Sequence, residues 1–136
     1  MKQKRICILG LGYIGLPTAA FLASKKTSVL GVDIDKGKIK ELNSLNYTSN
    51  EKGLEIIVKD TIKKGYLKIK DMPEKSDVFI ITVPTPFKNQ KKSKFPSPDI
   101  SYIKKSIFSI SDVLEKNNLI ILESTSPVGT TDKIVT

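Results

Sequence analysis

The sequence predicts an α/β fold built on a doubly wound parallel sheet, because short apolar runs alternate with helical periods along the chain. The runs are four to six residues long, as expected for strands that are buried on both faces. A glycine-rich turn follows the first run directly and opens a helical segment. Right-handed crossovers then place helices on both faces of the sheet, which is a Rossmann-type arrangement.

Five apolar runs are the predicted strands. The third run is the weakest of them, and the fourth is the longest. In chain order the runs cover residues 6–9, 28–32, 66–69, 78–83 and 119–122.

Three segments between these runs are predicted helices. Residues 13–25 are rich in alanine, which favours a helix. Residues 54–62 and 100–114 each repeat apolar side chains at helical spacing and so form one apolar stripe. Asp99 precedes the last segment and is its predicted N-cap.

Residues 84–98 are predicted to form a loop at the carboxyl end of the fourth strand. The segment contains four prolines and four lysines, so we expect a basic, mobile tip. A further helix is predicted to open at residues 127–131, close to the last residue of the chain. Because the sheet would then end on a helix start, we expect the chain to be a piece of a longer protein.

The 136 residues are expected to form one domain, and their composition excludes several functions. One cysteine and no histidine exclude a disulfide framework, a zinc site and catalytic systems based on histidine, so no metal is expected. No apolar run approaches the roughly 20 residues that span a bilayer, and no export signal is evident. We therefore expect a protein of the cytoplasm with no membrane partner.

The net charge of +9 raises the question of a polyanionic partner. Arg5 is the one arginine, whereas lysines are scattered along the chain. Arginine is the residue that most often contacts bases specifically and that binds phosphates through two parallel hydrogen bonds. The charge therefore predicts a solvated lysine-rich surface and no specific binding of nucleic acid.

The motif that carries chemistry is the G-x-G-x-x-G sequence of residues 10–15, which follows a predicted strand and opens a helix. Gly10 is expected to permit a tight turn, and Gly12 to let the backbone approach a pyrophosphate. Gly15 is expected to let helix and strand pack closely. The N-terminus of the helix would then face the phosphates, and Tyr13 and Ile14 would either contact the cofactor or merely pack at the helix start.

Asp33 is the predicted ribose ligand, because it ends the second strand 18 residues after Gly15. A carboxylate there accepts hydrogen bonds from the adenosine ribose and repels a 2′-phosphate, so the predicted cofactor is NAD rather than NADP. Lys36 and Lys38 lie nearby and weaken this argument slightly. The alternative is a structural glycine turn with an accidental aspartate. Cys7, inside the first strand, is predicted to be a small buried apolar residue.

Two further segments lie at strand ends, where ligands bind in open α/β sheets. Val83, Pro84 and Thr85 follow the fourth strand, and the prolines of this turn make it rigid. Residues 123–129 follow the fifth strand. Their hydroxyl groups, Ser124 and Thr125 among them, would either cap the next helix or, for Thr125, point into the crevice beside the nicotinamide.

Together these motifs resemble the UDP-glucose/GDP-mannose dehydrogenase family along the whole chain. The segment EKGLE departs from the family's usual E-P-G-L, with Lys52 in place of proline. The matching segments are ILGLGYIGLPTA at 8–19, GVDID at 31–35, EKGLE at 51–55, VPTPF at 83–87 and LESTSPVGTT at 122–131.

The resemblance implies a Rossmann-type NAD-binding domain over residues 1–136, without the family's central helix and C-terminal UDP-sugar domain. Members of the family oxidise the C6 alcohol of the sugar to a carboxylate in two NAD-dependent steps. The resemblance also implies that Thr125 lies near the reaction centre. The cofactor contacts that the resemblance implies are Gly10, Gly12, Tyr13, Ile14, Asp33, Lys38, Thr85 and Thr125. The glycine motif and the strand ends add Gly15, Val83, Pro84 and Ser124 to the predicted cofactor site.

The family's catalytic cysteine, lysine and asparagine belong to later segments, so the resemblance implies that this chain alone is inactive. It further implies a UDP-sugar substrate that is bound through the C-terminal domain, and a full-length homodimer. Two other functions stay open from the residues themselves: a nucleotide-binding module without chemistry, and a basic protein that binds nucleic acid.

Overall fold

The computed structural model of the chain describes residues 4–88 and 97–135. The strands are β1 (Arg5–Leu9), β2 (Ser28–Val32), β3 (Leu67–Lys70), β4 (Val78–Ile81), β5 (Phe87–Lys88), β6 (Ser97–Pro98) and β7 (Leu119–Leu122). A five-stranded, fully parallel sheet forms the centre of the fold, with strand order β3-β2-β1-β4-β7. A separate antiparallel pair joins β5 to β6.

The helices are α1 (Gly15–Ser24), α2 (Lys36–Asn43), α3 (Leu54–Lys63) and α4 (Ser101–Ile110). The five predicted strands of the parallel sheet are confirmed within two residues at each end, and so are the predicted helices that correspond to α1 and α3. The predicted helix at residues 100–114 is confirmed as α4, which is shorter at its C-terminal end. The helix α2 is not predicted by the apolar pattern, which is short there. Asp35 begins it by accepting hydrogen bonds from the backbone N–H groups of Gly37 and Lys38.

Two apolar clusters hold the helices against the two faces of the sheet. On one face Ile8, Val29 and Ile80 pack with buried residues of α1, α2 and α3. On the other face Cys7 and Phe79, both fully buried, pack with Ile110 of α4. The predicted doubly wound sheet is confirmed, and so is the prediction that Cys7 is a small buried apolar residue.

The connection between β3 and β4 contains no helix. It returns from the carboxyl end of the sheet to the amino end as an irregular segment, residues 71–77. Glu74 fixes this segment, because its carboxylate accepts hydrogen bonds from Arg5 of β1 and from Lys70 of β3. Asp77 adds another bond at the amino end, since its carboxylate accepts from the Arg5 backbone N–H at 2.8 Å.

The segment between β4 and α4 differs from the predicted loop. Phe87 pairs with Pro98, and Lys88 pairs with Ser97, in the short ladder of β5 and β6. The predicted mobile tip, residues 89–96, lies outside the described residues. Asp99 is one residue further from α4 than a true N-cap, although its carboxylate still accepts from the Ser101 N–H at 3.0 Å.

The remaining helical segments are short. A 3₁₀ turn, Ser111–Val113, extends α4, so regular α-helix ends at Ile110 rather than at residue 114. The helix that was predicted to open near residues 127–131 begins as a π-type segment, Thr131–Val135. Within residues 4–88 and 97–135, no helix is long and apolar enough to cross a membrane.

Candidate functional site

The sheet order places a crevice at the carboxyl ends of β1 and β4. From β1 the chain crosses to β2 on one side, and from β4 it crosses to β7 on the other side. Ligands bind at such a switch point in open α/β sheets. A cleft of about 630 Å³ lies there, and every predicted site residue except Gly15 lines it. These are Gly10, Gly12, Tyr13, Ile14, Asp33, Lys38, Val83, Pro84, Thr85, Ser124 and Thr125.

Gly10 and Gly15 are required by the packing of the turn itself. Gly10 has φ +95°, and a Cβ there would lie 2.9 Å from the carbonyl oxygen of Thr82. A Cβ on Gly15 would lie 1.8 Å from the carbonyl oxygen of Gly10. Both positions therefore exclude a side chain, which confirms the predicted tight turn and the predicted close packing of helix on strand.

Gly12 is different, because a Cβ built on it meets no heavy atom within 4 Å. The space in front of it is part of the cleft, so a side chain would fill the cleft rather than collide with the protein. The N-terminus of α1 begins beside it, although the N–H groups of Leu16 and Thr18 already donate to the carbonyl oxygens of Gly12 and Ile14 at 3.1 Å. What this end of the helix offers is therefore the positive end of its dipole. Partial positive charge and open space together fit a pyrophosphate, which is the group expected here in a bound dinucleotide.

Asp33 is held by three donors at the end of β2. The backbone N–H groups of Leu11 and Asp35 each donate to its carboxylate at 2.9 Å, and the Lys38 ammonium does so at 3.0 Å. Burial alone would raise the pKa of Asp33, but the hydrogen bonds from Asp35, Leu11 and Lys38 outweigh burial and hold this pKa below its ordinary value. The side chain is therefore a fixed carboxylate, as ribose recognition requires.

The ends of β4 and β7 are tied to the glycine turn and to each other. The Thr82 hydroxyl donates to the Gly10 carbonyl oxygen at 2.7 Å. The Ser124 hydroxyl donates to the Val83 carbonyl oxygen at 2.7 Å, so Ser124 bridges the two strand ends rather than capping the next helix. Thr125 lines the cleft and is exposed in it. Of the two alternatives for Thr125, capping of the next helix or a place in the crevice, the structure therefore agrees with the second.

Tyr13 and Ile14 do not serve as packing residues at the helix start. Tyr13 is 91% exposed and Ile14 is 56% exposed. Both side chains lie at the cleft, where a ligand could bury them. Their exposure therefore favours cofactor contact over a purely structural role.

Several cleft residues were not predicted from the sequence. One group follows β2 and β3, and the rule that ligands bind at strand ends would have identified it had it been applied to these strands. A second group repeats at i, i+3, i+4 and i+7 on α4, which is a polar stripe beside the apolar stripe of that helix. The first group is Ile34, Asp71, Met72 and Pro73, and the second is Tyr102, Lys105, Ser106 and Ser109.

A second cleft of about 630 Å³ lies on the other side of the glycine turn, between α1, α2 and residues 47–54. It shares Gly12, Tyr13 and Lys38 with the first cleft. No residue from the ends of β4 or β7 lines it. Because it lies away from the switch point of the sheet, we assign the cofactor to the first cleft.

Comparison with known proteins identifies the fold and the cofactor. The model of the NAD binding domain of the UDP-glucose/GDP-mannose dehydrogenase family matches residues 4–136. The chain belongs to this family. The cofactor of the matched domain is NAD, and the glycine turn and Asp33 lie where a Rossmann fold binds a dinucleotide.

The family relatives include enzymes that act on UDP-sugars. The UDP-N-acetyl-D-mannosamine dehydrogenase of Methanocaldococcus jannaschii is 51% identical over 134 residues, which cover 96% of this chain and 30% of the relative. The structure of the UDP-N-acetyl-mannosamine dehydrogenase from Staphylococcus aureus matches with a TM-score of 0.90 at 40% identity, over 96% of this chain and 31% of the other. A UDP-glucose dehydrogenase from Pyrobaculum islandicum matches with a TM-score of 0.85 at 25% identity, over 98% of this chain and 31% of the other. The chain thus spans about 30% of the length of these relatives.

Proposed function

We propose that this chain is the NAD-binding part of a UDP-sugar 6-dehydrogenase whose substrate is UDP-N-acetyl-D-mannosamine. The observation that carries this proposal is the 51% identity to a dehydrogenase named for that sugar. A 48% identical relative from Campylobacter jejuni has the same name. UDP-N-acetylglucosamine and UDP-glucose are the alternative substrates, because the sugar-binding part of the family lies outside this chain.

Bound NAD supplies the acceptor for a hydride, and the residues of this chain hold it in place. The glycine turn binds the pyrophosphate through its own backbone N–H groups and the positive end of the α1 dipole. Asp33, positioned by Lys38, accepts hydrogen bonds from the adenosine ribose. Thr85, at the end of β4, belongs to the half of the cleft that receives the nicotinamide.

Thr125 is the residue of this chain that we place beside the reacting carbon. It lines the nicotinamide half of the cleft from the end of β7. Its hydroxyl can orient a substrate hydroxyl or a water molecule, but a neutral hydroxyl is too weak a base to take the alcohol proton. The role of Thr125 is therefore to orient the substrate, and the base comes from elsewhere.

The chain alone is expected to be inactive. The second oxidation of the sugar needs a nucleophile that holds the aldehyde, and the reactive form of a cysteine is its thiolate. Cys7 is fully buried in β1, and burial raises the pKa of its thiol to about 12. A neutral thiol without solvent access cannot take this role.

The experiment follows NADH absorbance with UDP-N-acetylmannosamine, first for this chain and then for the full-length protein. We expect no turnover by the 136-residue chain. We expect two NAD reduced per sugar by the full-length protein. Faster oxidation of UDP-glucose would contradict the proposed substrate, whereas turnover by the short chain that survives Cys7→Ser but is lost on Thr125→Ala would show that the catalytic centre is misplaced.

Two further expectations stay predictions. The family resemblance implies a homodimer of the full-length protein, and the sequence without an evident export signal leads us to expect a location in the cytoplasm. Size-exclusion chromatography with light scattering on the full-length protein tests the first, and cell fractionation tests the second.

A further inference from the structure

The order of the strands locates the end of the cleft that receives the adenine base, given the proposed function. The nicotinamide half lies at β4 and β7, and the ribose carboxylate Asp33 lies at the end of β2. In the order β3-β2-β1-β4-β7, the next strand beyond β2 is β3. Neighbouring strands lie about 4.8 Å apart, so a base attached to that ribose reaches the ends of β2 and β3.

The residues at this end form an apolar surface beside a carboxylate. Ile34 is 83% exposed and Met72 is 64% exposed, and two such side chains at one end of a cleft form an apolar surface that a ligand can cover. Both line the cleft, together with Pro73 and Asp71. Apolar side chains of this kind suit the flat face of a purine, and the carboxylate of Asp71 suits its polar edge.

Asp71 is placed beside Asp33 by the register of the sheet. Val32 pairs with Lys70, and the Asp33 N–H donates to the Lys70 carbonyl oxygen at 3.2 Å. Asp71 is the next residue after Lys70. The two carboxylates therefore follow neighbouring strands at the same height, with the ribose position at one and the base position at the other.

The two carboxylates differ in their partners. Asp33 accepts three hydrogen bonds from the protein, including one from Lys38. Within residues 4–88 and 97–135, Asp71 takes part in none of the ion pairs and side-chain hydrogen bonds, although it lines the cleft. An ionised carboxylate only accepts hydrogen bonds, so its complement on a base is an N–H group.

We propose that Asp71 selects the base of the dinucleotide by accepting a hydrogen bond from the exocyclic amine of adenine. This inference rests on the proposed NAD site and adds a specificity-determining residue to it. Hypoxanthine has a carbonyl oxygen in place of that amine. A carboxylate that is positioned for the amine faces this carbonyl oxygen and repels it, and it can reach the neighbouring N1–H of hypoxanthine only if the base shifts. The hypoxanthine analogue of NAD therefore binds less tightly.

The experiment measures the dissociation constants of NAD and of nicotinamide hypoxanthine dinucleotide by calorimetry on this chain. We expect NAD to bind about tenfold more tightly, as one hydrogen bond to a charged group provides. In Asp71→Asn the side-chain amide can donate to the carbonyl of hypoxanthine, so the ratio should fall close to one. Asp71→Ala removes the contact and should have the same effect on the ratio.

The control is Asp112→Asn, which removes the same charge from the 3₁₀ turn after α4, away from the cleft. It should leave the ratio unchanged. A general effect of charge on phosphate binding cancels in the ratio, because both ligands have the same pyrophosphate. AMP against IMP on the unmodified chain repeats the comparison without any substitution.

The outcomes separate this inference from the proposed function. Equal affinity of the unmodified chain for NAD and its hypoxanthine analogue, or for AMP and IMP, would overturn the role of Asp71. A tenfold preference for NAD that persists in both Asp71 variants would also overturn the role of Asp71, since another group would then recognise the adenine base. Absence of binding by both dinucleotides would instead contradict the proposed NAD site itself.

Discussion

Gly12 and Gly15, the last two glycines of the turn, allow the stability of the domain and its affinity for the cofactor to be tested separately by matched alanine substitutions. In Gly15→Ala the new methyl group would lie 1.8 Å from the Gly10 carbonyl oxygen and 2.4 Å from the Thr82 hydroxyl oxygen. Contacts under 3.0 Å force atoms to move, and here one of the two is backbone. The hydrogen bond of 2.7 Å between these two oxygens would be disturbed as well.

Three contributions determine how far Gly15→Ala lowers the free energy of unfolding. Overpacking costs about 1–3 kcal/mol, and the weakened hydrogen bond costs about 1 kcal/mol. The better helix propensity of alanine offsets about 0.5–1 kcal/mol. We therefore expect Gly15→Ala to lower the free energy of unfolding by about 1–3.5 kcal/mol, which lowers the Tm by roughly 4–14 °C for a domain of this size.

Gly12→Ala is the matched control, because nothing lies within 4 Å of the added Cβ. Its free energy of unfolding should stay within about 0.5 kcal/mol of the unmodified chain or rise slightly, since alanine restricts the unfolded state. Its affinity for NAD should fall at least tenfold, because the methyl group fills the space in front of the turn. Urea denaturation and calorimetric titration with NAD measure the two effects.

Two results would refute this reasoning. Gly15→Ala with the stability of the unmodified chain would mean that the contact between helix and strand is not as close as the distances indicate. Gly12→Ala with undiminished NAD affinity would mean that the pyrophosphate does not approach the turn at this glycine.

Three more predictions concern charge. NAD should bind more tightly than NADP in calorimetric titrations, and Asp33→Ala should reduce the difference between the two affinities. Equal affinities in the unmodified chain would contradict the proposal that Asp33 binds the adenosine ribose. Hydrogen bonds from Lys70 and Arg5 lower the pKa of Glu74 to about 2, so its stabilising effect should be complete above its ordinary value of 4.5 and disappear as the pH falls towards 2. Glu74→Gln should therefore be less stable at pH 7, by about 1 kcal/mol or less for groups this exposed, and match the unmodified chain near pH 2 in urea titrations; an equal loss at both pH values would exclude this cause. Binding to DNA in gel shifts should be weak and fall steeply with salt. Nanomolar, sequence-selective binding at physiological salt would contradict the prediction that the lysines are dispersed and form no specific site for nucleic acid.

Much of the fold and the centre of the site could be predicted because their signals are local. A strand such as β4, Val78–Ile81, is apolar throughout because a parallel strand is buried on both faces, whatever its neighbours are. The spacing of Gly10, Gly12 and Gly15 defines the turn before any distant contact forms. Asp33 could be found because the length of one βαβ unit fixes its distance from the turn. The helix α2 was missed because its start depends on a single capping residue, Asp35, and its apolar stripe is short.

Sequence by itself thus determined the strands, the glycine turn, the place of Asp33 at the end of the second strand and the cofactor class, all of which depend on residues close together in the chain. Tertiary structure alone decided which strand ends meet. It joined Ser124 to Val83 across 41 residues, fixed the β3–β4 connection through Glu74 and Arg5, and brought Asp71 to the far end of the cleft. The physical reason is that such contacts depend on strand order and register, which no spacing along a single sequence specifies.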